Sequence, residues 1–338
     1  MTLVVARTEK GRLAIAADTL VAEHGSALAM QSWVLKSRCV SRNICVSFSG
    51  SPELAAKAFH AFRTTFPNDA AFASTIAFFE RSSAATGNDY IVAFADPAKL
   101  VTIRDGRRTG SLSKTHWIGD KNAFERFREW EHRRGQTSLQ GCAVQAALFA
   151  DEMEGSPASD LYSTMRNIVE DRSISSVGGF VTVLSNRDFG FRFSVYSDVL
   201  FDWPVAFDKD GILQLTHKFD LGSSGENDRY SVNQISPGYY NMNAVAFYLL
   251  KGQILVLFYE TADGGSACVT YSGIEPAAIA PALNEKLGLD FRAMCLVMSA
   301  RQEFNRPFVR SKPDEGLAMG LYCEVNTMPK VPPLSAEI

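Results

Sequence analysis

The first fifty residues alternate short apolar runs with turn residues. Apolar runs of about four to eight residues bounded by turns are typical of β-strands. The first two runs, 3–7 and 13–18, flank a turn at Glu9-Lys10-Gly11, and two more cover 34–40 and 44–49. The chain is therefore predicted to begin with a hairpin, followed by two further strands.

A helix is predicted to begin at Ser51-Pro52. Serine is a favoured N-cap residue, and proline is favoured at the first helical position. Apolar residues then recur at helical spacing, and this periodicity returns further along the chain. The predicted helices lie at 51–62, 68–79, 121–133, 139–152 and 159–170, and later strands are predicted at 90–95, 100–104, 112–118, 180–184 and 191–196.

The order of these elements indicates the fold class. Two groups of strands interleaved with two groups of helices suit a layered α+β sandwich better than an alternating parallel fold. Beyond residue 197 the pattern changes to turn-rich sequence, β-like runs and two helical stretches at 276–287 and 291–301. We predict a first domain over 1–197, a C-terminal α+β extension over 198–327 and a flexible tail over 328–338, which contains three prolines.

Composition places the chain among ordinary globular proteins, because 46% of its 338 residues are hydrophobic and 21% are charged. The net charge of −3 gives no long-range attraction for nucleic acid or an anionic membrane, so neither is predicted as a partner. No apolar segment reaches membrane-spanning length and no secretory leader pattern is found. We therefore expect a cytoplasmic protein whose mature chain begins at the given N-terminus, apart from Met1.

Cysteines and histidines do not form a metal or cofactor motif. The six cysteines are scattered without a Cys-x-x-Cys pair, and most lie in apolar runs, where a free cysteine acts as a small hydrophobic residue. The five histidines fall in separate predicted elements, and no glycine-rich phosphate-binding loop occurs. We expect reduced thiols, no metal and no cofactor.

The candidate chemistry lies at Thr2. Removal of Met1 would leave a threonine that carries both a hydroxyl group and a free α-amine. Such a residue can act as nucleophile and general base together. The α-amine has a pKa of about 7.7–8.0, so part of it is unprotonated near neutral pH. The alternative is an ordinary threonine that begins a strand.

Three more residues can support a nucleophile at Thr2. Asp18 ends the strand that pairs with the Thr2 strand, and Lys36 brings a positive charge on a neighbouring strand. That charge lowers the pKa values of the hydroxyl and the amine, while Asp18 orients the lysine. Gly50, at a strand-to-helix turn, offers an N–H to an oxyanion, and losing such a donor costs about 10²–10³-fold in rate. The alternatives are that Asp18 only caps a turn, that Lys36 is a solvated lysine on its strand, and that Gly50 is needed only for the packing of helix against strand.

In this order and spacing the residues resemble the proteasome β-subunit family of N-terminal-nucleophile hydrolases. The resemblance covers 2–197, and its loop variants at 118–121 and 176–179 are most similar to the bacterial ancestral-β-subunit branch. Where the family often has a serine near the threonine, this chain reads Asp120-Lys121-Asn122, and Asn122 is a candidate substitute. The landmarks are Thr2, Ala16-Ala17-Asp18, Val34-Leu35-Lys36, Ser49-Gly50-Ser51, and Val177-Gly178-Gly179 with Asp171 upstream.

This resemblance implies a four-layer αββα sandwich and a threonine peptidase that cleaves peptide or other amide bonds. It implies the catalytic set Thr2, Asp18, Lys36, Gly50 and Asp171, although Asp171 can also be an ordinary charged residue at a helix end. Family members act on peptides or unfolded proteins and usually form homo-oligomers, while an ATPase partner is left open. Two other functions stay open: a non-catalytic scaffold or sensor, and a small-molecule amidase on the same fold.

Overall fold

The computed structural model describes residues 2–21, 32–68, 70–109, 114–134, 144–149, 156–171, 173–187, 190–201, 205–207, 213–215, 232–235, 242–249, 253–275 and 278–288. Within these ranges the chain is a mixed α/β protein with several antiparallel sheets and five helices. The helices are α1 (Pro52–Thr65), α2 (Phe72–Thr86), α3 (Lys121–Arg134), α4 (Ala158–Glu170) and α5 (Ile279–Leu287).

The strands follow in chain order. The first ten are β1 (Leu3–Glu9), β2 (Arg12–Asp18), β3 (Leu20–Val21), β4 (Ser32–Trp33), β5 (Ser37–Cys39), β6 (Ile44–Ser49), β7 (Asp89–Phe94), β8 (Lys99–Arg104), β9 (Arg107–Thr109) and β10 (Thr115–Gly119). The others are β11 (Val144–Phe149), β12 (Val181–Arg187), β13 (Gly190–Phe193), β14 (Tyr196–Phe201), β15 (Val205–Phe207), β16 (Leu213–Leu215), β17 (Val232–Ile235), β18 (Ala244–Leu249), β19 (Ile254–Glu260) and β20 (Ser266–Tyr271).

The first sheet has the strand order β10-β1-β2-β12-β13. Its β1-β2 hairpin, which confirms the predicted one, turns at Lys10 and Gly11, where φ is 47° and 77°. Positive φ at both central residues gives the two-residue turn whose twist matches that of the flanking strands. The register of the pair brings Thr2 and Asp18 to the same end of the hairpin.

The second sheet has the order β5-β6-β7-β8-β9, and α1 and α2 pack on it. Ser51 caps α1 as predicted, because its hydroxyl accepts the Leu54 N–H at 3.3 Å. The helices bury aromatic side chains against this sheet, among them Phe59, Phe62 and Phe79. Each fully buried phenylalanine contributes about 1.5–3 kcal/mol, so this cluster fixes both helices in place.

The first sheet packs against α4. This helix buries Leu161, Met165 and Ile168, which recur at intervals of about one helical turn. These side chains belong to the same hydrophobic core as Ile15 of β2 and Ile91 of β7. Both sheets therefore contribute to one core, which supports the end of the hairpin that carries Thr2.

The third sheet has the order β11-β14-β17-β18-β19-β20, and α5 packs on it through Ile279 and Leu283. The sequence pattern predicts a helix over 139–152, and this prediction is wrong for 144–149, which form β11. β11 pairs antiparallel with β14 along its whole length. Pairing of this kind overrides a weak local preference for helix.

Several predictions on the C-terminal part are not settled by these elements. β14 spans residue 197, the predicted end of the first domain, and the domain boundaries stay predictions. The predicted helix at 291–301 and the predicted flexible tail at 328–338 lie outside the described residues. Among the described helices, none combines the length and the apolar character that crossing a bilayer requires.

Candidate active site

Asp18 is the centre of a buried polar cluster at the end of β2. Its carboxylate is 0% exposed. Its Oδ1 accepts hydrogen bonds from the Thr2 hydroxyl at 2.5 Å, the Leu3 N–H at 3.0 Å and the Lys36 ammonium at 2.8 Å. Its Oδ2 accepts the Gly178 N–H at 3.2 Å. A carboxylate with this many donors is held in one orientation.

Lys36 precedes β5 and is 3% exposed. Besides Asp18, its ammonium donates to the Leu20 carbonyl oxygen at 2.5 Å. Burial lowers the pKa of Lys36, while the charge of Asp18 and its hydrogen bond act in the opposite direction. The main chain of Lys36 is fixed as well, because its carbonyl oxygen accepts the Phe48 N–H at 3.0 Å. The lysine is therefore a positioned group with little freedom to leave the cluster.

The cluster brings together a hydroxyl group, a carboxylate and an ammonium group. One oxygen of Asp18 binds both the Thr2 hydroxyl and the Lys36 ammonium, so a hydroxyl and a positive charge share the same partner. A nearby positive charge favours the deprotonated form of a hydroxyl group. The predicted set Thr2, Asp18 and Lys36 is thus assembled in the structure, and its catalytic role stays a prediction.

The main chain of Thr2 is held from the opposite strand. Its carbonyl oxygen accepts the Asp120 N–H at 2.7 Å. Gly119, with φ of +104°, lies so close that a Cβ atom there would overlap the Thr2 carbonyl group. Only glycine fits this approach, because a side chain would meet both the steric overlap and the backbone strain.

The Asp120 side chain is fixed in turn by its neighbours. Its Oδ2 accepts the Ser176 hydroxyl at 2.6 Å, and its Oδ1 accepts the Ala123 N–H at 3.0 Å. Burial acts to raise the pKa of Asp120, but the hydrogen bonds from Ser176 and from the N–H groups of Ala123 and Asn122 outweigh it and hold this pKa below its usual value. At this position the contact with Thr2 is made by Asp120, the first residue of the Asp120-Lys121-Asn122 segment.

Gly50 lies at the turn between β6 and α1, with φ of +117°. The turn is held by the buried side chain of Asn88, whose Oδ1 accepts the Ser51 N–H at 2.7 Å and whose Nδ2 donates to the Ser51 carbonyl oxygen at 3.0 Å. A Cβ atom at Gly50 would overlap the Asn88 side chain. The turn geometry thus requires glycine, whether or not its N–H binds an oxyanion.

Asp171 is the C-cap residue of α4, and its contacts lie outside the Asp18 cluster. Its Oδ1 accepts the N–H and the hydroxyl of Ser173, and its Oδ2 accepts Arg126 Nε at 3.3 Å. The hydrogen bonds from the Ser173 hydroxyl and N–H, followed by that from Arg126, lower the pKa of Asp171. Its predicted role near the Thr2 amine stays a prediction.

Two residues that hold the site are missed by the sequence argument. Asn88 follows a helix end at Thr86-Gly87, and nothing in the pattern links it to Ser51, which is 37 positions away. Ser176 is one of several serines after α4, and the sequence alone does not single it out as the partner of Asp120. Within the described residues, no three His, Cys, Asp or Glu side chains are grouped so as to hold a metal ion.

A scan against protein-family models finds no match, and a search of curated proteins finds none. Among solved structures, eukaryotic HslV from Trypanosoma brucei is similar to this chain, with 14% sequence identity and a TM-score of 0.38. The similarity covers 55% of this chain and 99% of that chain. A TM-score this low establishes neither a shared fold nor a shared activity, so function has to be argued from the geometry of the site.

Proposed function

We propose that this protein is a threonine-type N-terminal-nucleophile hydrolase that cleaves peptide bonds. One observation carries the proposal: Asp18 Oδ1, fully buried, accepts both the Thr2 hydroxyl at 2.5 Å and the Lys36 ammonium at 2.8 Å. The proposed hydroxyl nucleophile and the positive charge therefore lie within hydrogen-bond distance of one oxygen atom of the carboxylate that orients them. Such grouping is the arrangement that activates a weak oxygen nucleophile.

The reaction requires Thr2 to be the first residue of the mature chain. Its hydroxyl oxygen attacks the substrate carbonyl carbon, and the hydroxyl proton passes to the free α-amine. Lys36 stabilises the negative charge that develops on the threonine oxygen, while Asp18 holds both groups in place. The protonated amine then gives its proton to the leaving amine of the substrate, and water hydrolyses the ester left on Thr2 by the same route.

Gly50 and Asp171 complete the proposed site. The Gly50 N–H is assigned to the oxyanion of the tetrahedral intermediate, and Asn88 supports this role by fixing the turn that carries it. Asp171 is assigned to the surroundings of the Thr2 amine. In addition, Asp120 acts as a positioning residue, because its N–H binds the Thr2 carbonyl oxygen at 2.7 Å.

The same proposal extends to architecture and assembly. The first domain, 1–197, is a four-layer αββα sandwich, which is supported by the shared core of the two five-stranded sheets and by the packing of α1, α2 and α4 on them. Within the C-terminal extension, 198–327, the described strands β18 and β19 pack on this domain through Phe247 and Phe258. The protein is cytoplasmic, assembles as a homo-oligomer of the bacterial ancestral type, and acts on peptides or unfolded chains, with or without an ATPase partner.

A non-catalytic scaffold or sensor is the second candidate function. It is favoured by the burial of Thr2, which is 3% exposed. In this case the cluster around Asp18 is a structural ion pair with extra hydrogen bonds, and no substrate reaches Thr2. The two candidates differ in whether Thr2 has a free amine and an accessible hydroxyl.

The deciding experiment is the intact mass of the purified protein before and after incubation with a peptide epoxyketone. This reagent needs both the hydroxyl and the free α-amine of a threonine to form its ring adduct. We expect a chain that begins at Thr2 and gains the mass of one reagent molecule. A chain in which Thr2 is preceded by another residue, or a free Thr2 that gains no adduct, would favour the scaffold.

A matched pair of lysine variants controls this experiment. Lys36→Ala removes the positive charge beside Thr2, and we expect loss of both the adduct and peptide hydrolysis. Lys57→Ala removes a lysine that is 68% exposed and pairs with Glu53 on α1, and we expect wild-type behaviour. Peptide hydrolysis retained by Lys36→Ala would show that the lysine is wrongly assigned.

A further inference from the structure

Two free cysteines face each other across the strands β5 and β6. In the register of this pair Cys39 lies directly opposite Cys45. Cys39 is 4% exposed and Cys45 is 0% exposed. Neither thiol has a role in the proposed reaction, and their placement opposite each other needs a separate explanation.

The main-chain hydrogen bonds show which kind of cross-strand pair Cys39 and Cys45 form. The Val40 N–H donates to the Ile44 carbonyl oxygen at 2.9 Å, so the neighbouring pair is a hydrogen-bonded one. Because the two kinds alternate along an antiparallel ladder, Cys39 and Cys45 form a non-hydrogen-bonded pair, with Cα atoms about 4.5 Å apart. Disulfides bridge Cα separations of about 4.4–6.8 Å, so no strand has to move far for the bridge to close.

The next non-hydrogen-bonded pair of β5 and β6 shows that side chains on the face that carries the two cysteines come into contact. Ser37 lies opposite Ser47, and their hydroxyl oxygens are 2.8 Å apart. Residues two positions apart on a strand point to the same face. Cys39 and Cys45 repeat the geometry of the serine pair, two positions further along each strand.

Cys39 borders a cleft at the edge of its sheet. β5 is the edge strand, and the side chains of Asn243 and Arg63 bind the main chain of Cys39. Cys39 also lines a cleft of about 750 Å³ together with Arg42, Arg63 and Glu260. Cys39 is among the residues that line this cleft and Cys45 is not, so a small reagent in the cleft meets Cys39 first.

We propose that Cys39 and Cys45 are a modification site, at which a low-molecular-weight disulfide such as glutathione disulfide converts the two thiols into a cross-strand disulfide. The Cys39 thiolate attacks one sulfur of glutathione disulfide, which forms a mixed disulfide and releases one glutathione. The Cys45 thiolate then attacks the Cys39 sulfur, which forms the Cys39–Cys45 bond and releases a second glutathione. The two thiol protons leave with the two glutathione molecules, so atoms and electrons balance.

The order of the two steps follows from the burial of the thiols. Cys45 is enclosed, and burial raises the pKa of its thiol well above its ordinary value, so its thiolate is scarce. Its attack is intramolecular, however, and its partner sulfur is directly opposite, so the mixed disulfide is resolved without a second collision. The inference does not depend on the proposed hydrolase activity.

The sequence offers a direct test by peptide mapping. Trypsin cuts after Arg38, Arg42 and Lys57, so it separates the two cysteines into the peptides 39–42 and 43–57. The folded full-length protein is incubated with glutathione disulfide, the remaining thiols are alkylated under denaturing conditions, and the digest is analysed by mass spectrometry. We expect these two peptides to be joined, about 2 Da lighter than their sum, and to separate on reduction.

Three single variants control the assignment. In Cys45→Ser the expected product is a glutathione adduct that stays on Cys39, and in Cys39→Ser the linked species is lost. Cys268→Ser removes an exposed thiol and leaves the linked species unchanged. The inference is overturned if folded wild-type protein yields both peptides alkylated, if Cys39 keeps the glutathione adduct in the presence of Cys45, or if the bridge forms only with other cysteines.

Discussion

Two buried cations, Lys36 and Arg38, lie two residues apart and bind carboxylates in different ways. Lys36 donates to Asp18, which also accepts the Thr2 hydroxyl. Arg38 is 1% exposed and donates to the Gly264 carbonyl oxygen and, at 3.4 Å, to Glu260. The carboxylate of the first pair also holds the Thr2 hydroxyl, and the second pair joins the second and third sheets.

The carboxylate of the second pair is occupied by structural donors. Glu260 accepts Arg63 at 2.7 Å and the Asn243 side chain at 2.7 Å, besides Arg38. Burial lowers the pKa of Lys36 and of Arg38 alike, but an arginine keeps its charge at any physiological pH. Burial and pairing are therefore shared by both clusters, and what distinguishes the Asp18 cluster is the Thr2 hydroxyl, which shares one carboxylate oxygen with the buried cation.

The largest expected effect is a loss of peptide hydrolysis when the cation of the Asp18 cluster is removed, but not when that of the Glu260 cluster is removed. Lys36→Met is expected to lower peptide hydrolysis by about 10²–10³-fold, the range for loss of a group that stabilises charge in the transition state. Asp18 keeps the Thr2, Leu3 and Gly178 donors, but breaking its buried ion pair costs about 3–5 kcal/mol, so the rate is expressed per folded molecule. Initial rates with a fluorogenic peptide and circular dichroism check both statements.

Arg38→Met is the matched control for this variant. It removes the neighbouring buried cation, so the fraction of the protein that remains folded should hydrolyse peptides at the wild-type rate. An equal loss of activity in both variants, corrected for the folded fraction, would contradict the distinction between the two clusters.

The second effect is on stability. Glu260→Gln leaves Arg38 and Arg63 without their shared carboxylate, and breaking a buried pair in this way costs about 3–5 kcal/mol. Urea unfolding followed by fluorescence measures the loss. The exposed pair Lys57–Glu53 on α1 is the comparison, and Glu53→Gln should leave the urea midpoint unchanged. A Glu260→Gln protein as stable as wild type would show that the two sheets are joined by other contacts.

A smaller effect concerns the turn at Gly50. Asn88→Ala leaves the N–H and carbonyl groups of Ser51 without their side-chain partner, which costs about 1–3 kcal/mol for a buried polar group. If Gly50 supplies the oxyanion donor, kcat should fall more than KM changes. A stability loss with unchanged kcat would assign Asn88 and Gly50 to the fold alone.

The smallest effect is a dependence of stability on pH. Because the pKa of Lys36 is lowered from its ordinary 10.5, the unfolded chain binds more protons than the folded protein between the lowered value and 10.5. The free energy of unfolding therefore rises with pH across this window, by at most about 1.4 kcal/mol per unit. Urea midpoints at increasing alkaline pH should show the rise in wild type and not in Lys36→Met. A fall in the wild type would place the pKa on the other side of 10.5.

Local features of the chain are the ones that its sequence predicts. The Lys10-Gly11 turn and the Ser51 cap depend on residues a few positions apart, and both occur as predicted. The approach of Thr2 to Asp18 follows from the hairpin register, which neighbouring residues also determine. Such features need only backbone conformations and pairings that neighbouring residues favour.

Other features depend on partners far along the chain. β11 carries a helical periodicity but pairs with β14, which begins 47 positions after β11 ends, so tertiary pairing decides its conformation. The bond of Asn88 to Ser51 and that of Ser176 to Asp120 join side chains whose own surroundings in sequence are unremarkable turns. A single sequence gives no physical ground for choosing these partners among the other serines, asparagines and aspartates.

The hydrogen bond from the Gly178 N–H to Asp18 has a consequence for the timing of synthesis. It joins residues 160 positions apart, so Thr2 and Lys36 leave the ribosome long before Gly178 exists. At about 5–20 residues per second, the delay is roughly 8–30 s. During this interval the growing chain carries Thr2 on an unfinished sheet, and the first sheet is completed only after β12 adds to β2. The arrival of Gly178 therefore sets the earliest moment at which Asp18 has all the hydrogen-bond donors described above.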